Sequence, residues 1–268
     1  MSECKWAKNL IGFWKDFEAN RAPDQYIHKK DNALTNYAVD PSNPKATFDK
    51  MTPDQANDGF HCSLMPVPYL GNLTTADIFI LLLNPVVGYS DYGTNACAEF
   101  QKALLQNRHQ DFEGGDHRCL ALDTRFWWSS WFYWYENMLR STISNYAKGA
   151  DKTYVGALED LSRGLAIIEL VPYYSSNRGR GKVTEKLVSE LKSAQAAKEA
   201  AQKLVLRAAD DEVLVVVMWG AKEWGIECEN EAVVCNRARG LRETTREKIV
   251  SRLLRDQLPH RAAVIDNI

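Results

Sequence analysis

Several common signatures are missing from this 268-residue chain. Its six cysteines, Cys4, Cys62, Cys97, Cys119, Cys228 and Cys235, include no CxxC pair, which argues against a zinc ribbon or an iron–sulfur cluster. His61, His109, His117 and Asp116 have no zinc-ligand spacing, so neither a metal nor another cofactor is expected. No apolar run is long enough to cross a bilayer, and Lys5, Lys8, Lys15 and Asp16 interrupt the segment where a secretory h-region would lie. The expectation is a cytoplasmic protein with reduced thiols and no membrane partner. Gly88 and Gly93 form neither GxGxxG nor a Walker sequence, which excludes a phosphate-cradling loop after the first strand. The formal net charge of -2 excludes a protein that coats polyanions indiscriminately.

What is present is a folded α/β pattern. Hydrophobic residues make up 45% and charged residues 25% of the chain, an ordinary globular balance. The even spread of apolar segments from Ile78 to Leu258 predicts a single domain over residues 1–268. Residues 1–75 begin with an amphipathic helical pattern (Trp6, Leu10, Phe13, Trp14, Phe17) and continue through a Pro- and Asn-rich stretch. They read as a cap on an α/β core over 76–258. Three continuous apolar runs, Asp77 to Leu83, Leu165 to Val171 and Glu212 to Trp219, stop at Pro85, Pro172 and Gly220, as strands buried on both faces do. A shorter run, Ala232 to Cys235, comes after them. Helical patterns lie at Cys97 to Gln106, Arg125 to Tyr146 and Thr184 to Ala209. A last helix is signalled by a capping box, Thr244 to Glu247, ahead of Ile249, Val250, Leu253 and Leu254. Strands alternating with helices predict a three-layer α/β/α sandwich around a central, mostly parallel four-stranded sheet.

Ligands of open parallel sheets gather beyond the carboxyl ends of the strands. There the sequence puts Asn84-Pro85-Val86-Val87 with Tyr89, Asp91 and Tyr92; Glu169 with Tyr173, Tyr174 and Ser175; Trp219-Gly220; and Asn236-Arg237-Ala238-Arg239. Two glycine-containing loops, Asn177 to Lys182 and Arg237 to Arg242, each carry three cations and suit close approach to a phosphate backbone. The segment Arg125 to Tyr135 holds four of the eight tryptophans. Being apolar on nearly every helical face, it reads as a buried helix, or as the lining of a wide pocket.

In order and approximate spacing, these motifs resemble the uracil-DNA glycosylase superfamily over roughly residues 75–257. There the first strand ends in an Asn-Pro or Asp-Pro turn, a later strand ends in a residue that reads the pyrimidine edge, a third runs into Trp-Gly, and a short strand leads into a minor-groove loop. Leu82 stands where the family has glycine, and Asn236-Arg237-Ala238-Arg239 replaces a His-Pro-Ser-Pro-type loop. The resemblance implies that Asn84 positions the hydrolytic water, with Asp91 as a nearby carboxylate for its proton. It implies that Glu169 reads the base edge and that Tyr89, Tyr92 and Tyr173 hold the extruded base. Asn236, Arg237, Arg239, Ser175 and Arg178 become the DNA contacts.

An ionised glutamate only accepts hydrogen bonds. At position 169 it would repel uracil O4 and pair with the exocyclic amine of cytosine, although an ion pair with Arg178 or Lys182 is an equal reading of the same residue. Val86 and Val87, where classical uracil enzymes carry a bulky aromatic, leave room at pyrimidine C5. The expected function is a monomeric, monofunctional DNA glycosylase that removes a hypermodified cytosine, such as the glucosylated hydroxymethylcytosine of phage DNA. Excision of uracil, and a non-catalytic nucleic-acid-binding relative, are the alternatives.

Overall fold

The structure, a computed structural model, describes residues 5–15, 17, 26–31, 60–112, 118–176, 185–227, 233–236 and 240–255. The three long apolar runs form β2 (Ile78–Leu82), β4 (Leu165–Glu169) and β6 (Leu214–Val217), each buried at every position. The short run forms β7 (Val233–Cys235). These four strands are parallel neighbours in the order β4-β2-β6-β7. The sheet is nevertheless mixed and five-stranded, because β1 (Tyr69–Leu70) pairs antiparallel with β4 on its outer side. The four-stranded expectation is corrected here: two residues carry too little alternation to register as a strand, and tertiary pairing alone defines them.

Side-chain alternation sends each strand to both faces. Phe79, Leu81, Ala166, Ile168, Val215 and Val217 pack with helices α1 (Lys5–Lys15) and α7 (Lys192–Ala209). Ile78, Ile80, Leu82, Ile167 and Val216 pack on the other face with α4 (Ser130–Ala150), α5 (Tyr154–Gly164) and α9 (Glu243–Arg255). Between these lie β3 (Val86–Val87), α2 (Tyr89–Ala96), α3 (Ala98–His109), β5 (Ser175–Ser176), α6 (Glu185–Glu190) and α8 (Ala221–Trp224). The predicted helix at Arg125 starts later, at Ser130, because Thr124–Phe126 tightens into a 3-10 turn. The last helix starts at Glu243, ahead of the expected Thr244 cap, with Thr245 buried inside it. No helix among the described residues is long and apolar enough to cross a membrane. Cys62, Cys97 and Cys119 are free thiols, whereas Cys235 is disulfide-bonded, which departs from the expectation that every thiol is reduced.

The N-terminal part is more closely built into the fold than a cap. Trp6 meets Phe79 of β2 edge-to-face at 5.6 Å. Asp31 Oδ1 accepts from the Ser193 N–H in the first turn of α7 (3.1 Å) and Oδ2 accepts from the Tyr173 hydroxyl (2.7 Å), a carboxylate set where a helix N-terminus favours negative charge. Strand β1 would expose unpaired backbone at a sheet edge. Asn107 of α3 closes that edge: its Oδ1 accepts from Gly71 N–H at 2.8 Å and its Nδ2 donates to Tyr69 O at 2.7 Å, as a neighbouring strand would. Gly71 (φ +85°) turns the chain where any Cβ would strike the Leu165 carbonyl.

Replacing Asn107 with Ala leaves a buried N–H and a buried carbonyl unpaired. The expected loss is about 2 kcal/mol, read as a lower midpoint in urea unfolding at unchanged slope; a midpoint equal to the wild type's would refute the edge-closing role.

Candidate active site

Strand β2 stops because Pro85 has no N–H for the ladder. The chain then makes a second parallel pairing, Val86 with Ser175 and Val87 with Ser176, and the Ser175 N–H donates to Pro85 O at 3.1 Å. The turn after β2 and the segment after β4 are thereby fixed to one another. Between them sits the half-buried Asn84, whose Nδ2 donates to Ser175 Oγ (2.7 Å) and to Pro85 O (3.1 Å). A carbonyl can only accept, so these bonds orient the amide. Its Oδ1 is left as an acceptor with no protein partner among the described residues. Ser175 is buried, so it positions Asn84 and does not face a phosphate backbone.

Beside this turn, on the face of the sheet packed by α4, lies a buried polar cluster. Glu169 ends β4 in register with Leu82, and Leu170 and Val171 N–H donate to Leu82 and Leu83 O, each at 2.9 Å. Its side chain is 3% exposed and Oε2 has no hydrogen-bond partner. Burial pushes the carboxyl up to about 8, and the Tyr135 hydroxyl beside it draws it part of the way back. Tyr174 and Trp131 stack at 6.1 Å in the same cluster. Asp91 is buried too, and burial raises its carboxyl. Unlike Glu169, both its oxygens are bonded: Gly88 N–H donates to Oδ2 and Ser130 Oγ to Oδ1, each at 2.6 Å. Asp91 therefore joins the start of α2 to the start of α4. The Tyr92 hydroxyl and His61 Nδ1 are hydrogen-bonded at 2.7 Å, and burial depresses His61 to about 4, leaving it neutral near pH 7.

The expected site residues divide. Asn84 and Ser175 meet at the turn, and Glu169, Asp91 and Tyr92 belong to the buried cluster on the α4 face, where Tyr174 interacts with both carboxyls. Tyr173 does not: it lies on the opposite face, where its hydroxyl donates to Asp31 and accepts from the His28 N–H at 3.1 Å. Its neighbour Tyr174 takes the place on the Glu169 face. Asn236 is fully buried and braces its own loop, accepting from Arg242 N–H (2.9 Å) and donating to Gly240 O (2.8 Å), so its amide points inward and away from any DNA. Tyr89 opens α2, but its side chain lies outside the described residues, as do Arg178, Arg237 and Arg239. Ser130 was not expected at the site; Tyr174 stands among the residues expected after the second strand, and Tyr135 ends the segment read as a buried helix or a pocket lining, on the face marked by the Trp131, Tyr135, Leu139 spacing.

The ionised glutamate expected at 169 is also corrected. A neutral carboxyl has one O–H donor and one carbonyl acceptor, and so matches the cytosine edge and the uracil edge alike. The Trp-rich segment is not uniformly buried. Phe126, Trp131 and Tyr135 face the core, while Trp127 (70% exposed), Tyr133 (69%), Trp128 and Trp134 face outward at the end of α4 that carries Ser130. Gly220, with φ +70°, lies so close to Leu83 that any Cβ would run into that side chain, which ties the Trp219-Gly220 turn to the residue before Asn84. Among the described residues no His, Cys, Asp or Glu group is arranged to hold a metal. Protein-family models, curated proteins and solved structures contain no match to the chain.

Glu169 makes stability depend on pH. The unfolded chain loses this proton near 4.5 and the folded chain near 8. Its contribution is thus complete below the lower value and is lost as pH rises through the upper one. Thermal melts of wild type and Glu169→Gln are expected to converge near pH 4 and separate towards pH 8, with the variant more stable by on the order of several kcal/mol; parallel curves would refute the assignment.

Proposed function

We propose that the chain is a monofunctional DNA glycosylase of the uracil-DNA glycosylase type, built on a three-layer α/β/α sandwich. It hydrolyses the N-glycosidic bond of a modified pyrimidine and leaves an abasic site. The observation that carries this reading is the Asn84 amide, clamped through Nδ2 by Ser175 Oγ and Pro85 O so that Oδ1 is presented as an acceptor at the carboxyl end of a buried parallel strand. An acceptor held in that way orients a water towards a sugar carbon, and placement supplies much of the acceleration when the transition state resembles an oxocarbenium ion.

Glu169 reads the edge of the base. Val86, small and exposed, supports room at C5 and with it a hypermodified cytosine of phage DNA as the substrate, in an anti-phage role. Uracil is the second reading, favoured by the donor and acceptor that a neutral Glu169 presents. The outward rings of Trp127, Trp128, Tyr133 and Trp134 suit stacking on unpaired bases around the extruded nucleotide. The enzyme acts as a cytoplasmic monomer.

Asn84→Ala is expected to lower abasic-site formation by about a hundredfold or more with DNA affinity retained. The assay runs over DNA containing glucosylated hydroxymethylcytosine, hydroxymethylcytosine or uracil. Abasic sites in the uracil strand alone would reassign the substrate, and a wild type that, like the variant, forms abasic sites in none of these strands would make the protein a non-catalytic binder. Replacing Trp127 and Tyr133 together with Ala is expected to weaken single-stranded DNA binding about tenfold or more; unchanged affinity in fluorescence titration would remove these rings from the interface.

A further inference from the structure

Two carboxyls are buried on the same side of the sheet, and the structure treats them differently. Asp91 has a donor on each oxygen and a place at two helix starts. Glu169 has none on Oε2, no cation among the described residues interacting with it, and a position beside the strand that presents Asn84. A buried carboxylate with one phenol beside it and no cation is costly, so such a site favours the acid form and makes it available as a donor.

The groups that face it are few. Tyr135 comes from α4, Tyr174 from the segment after β4, and Cys119 reaches the same cluster through Tyr135. Asp91 of α2 acts on Tyr174, β2 offers only Leu82, and on the β1 side the backbone of Pro68 accepts the Glu169 N–H. None of these is a base that would take the proton from Glu169 near pH 7: burial raises the phenols and the Cys119 thiol, and Asp91 is already bonded.

We infer that Glu169 is the general acid of the reaction, donating its proton to ring nitrogen N3 of the departing cytosine as the glycosidic bond breaks. The inference rests on the glycosylase reading above. The C1′–N1 bond breaks with its electron pair passing to N1 and into the ring. Glu169 gives its O–H proton to N3, so the base leaves neutral and the side chain becomes a carboxylate. The water on Asn84 adds to C1′ and releases its proton to solvent, and solvent reprotonates Glu169. No oxidant, reductant or further reactant is needed. The step has value for cytosine, whose N3 is a basic ring nitrogen and whose anion is a poor leaving group. It has little for uracil, whose N3 already carries a proton. Substrate choice thus comes from leaving-group chemistry, where edge pairing by itself does not discriminate.

Glu169→Gln separates the roles, because an amide keeps one donor and one acceptor for the cytosine edge but gives up no proton. Single-turnover excision of the modified cytosine is expected to fall about a hundredfold or more with affinity for that DNA unchanged. The wild-type rate is expected to fall tenfold per pH unit above about 8, a limb absent in Glu169→Gln. In Tyr135→Phe the limb moves to higher pH, since the hydroxyl that lowers the carboxyl is gone. Equal losses of affinity and rate, or a wild-type-like limb in Glu169→Gln, would overturn the inference and leave Glu169 a positioning residue. Wild-type protein that releases no base from any DNA overturns the glycosylase reading itself, and the inference with it.

Discussion

In-register parallel pairing of Ile78–Leu82 with Leu165–Glu169 brings two buried strands to an end at the same level, and the site is assembled from the two segments that leave those ends. The ladder continues past the strands as Leu170 and Val171 bond to Leu82 and Leu83, and resumes as the β3–β5 pair. A slip of one residue would send Glu169 to the opposite face and part Ser175 from Asn84. Pro85 adds the other condition. By ending the first ladder it frees Asn84 from the sheet, and its carbonyl then serves as one of the two clamps on the Asn84 amide.

Burial of polar groups on one face is a consequence of that geometry. The α4 side of the sheet carries Glu169, Tyr135, Tyr174, Asp91, Tyr92 and His61 in place of a purely apolar packing. Most of them are tied to one another or to helix starts, which fixes α2, α4 and the segment at His61 around the turn. Glu169 is the buried carboxyl of this cluster with an oxygen left unpaired, as the Tyr174 hydroxyl also is, and such a group in a dry setting is a departure from structural economy that function accounts for best. The opposite face has the complementary arrangement. There Asp31, Tyr173 and the start of α7 satisfy one another, and the aromatic residues of α1 fill the remaining space.

Much of this was legible in the sequence. Continuous apolar runs that stop at Pro85, Pro172 and Gly220 locate β2, β4 and β6, because a strand buried on both faces must be apolar throughout and must end where its backbone can no longer pair. The same boundaries identify Asn84 and Glu169 as the residues at the strand ends. The edge strand β1 was not legible, since two residues have no period, and its closure by the Asn107 side chain involves a residue far away in sequence.

The sequence by itself determined the α/β class, the parallel core strands and the position of Asn84-Pro85 and Glu169 at their ends, since periodicity and chain-breaking residues are local properties. Tertiary structure decided the rest. It placed Tyr174 and not Tyr173 beside Glu169, turned Asn236 inward, bonded both oxygens of Asp91 and sent four aromatic rings of the Trp-rich segment to the surface. It also decided that Glu169 holds a proton near neutral pH. The charge of a carboxyl depends on the water and partners around it, and those are set by Tyr135 and Tyr174, which only the folded chain brings within reach.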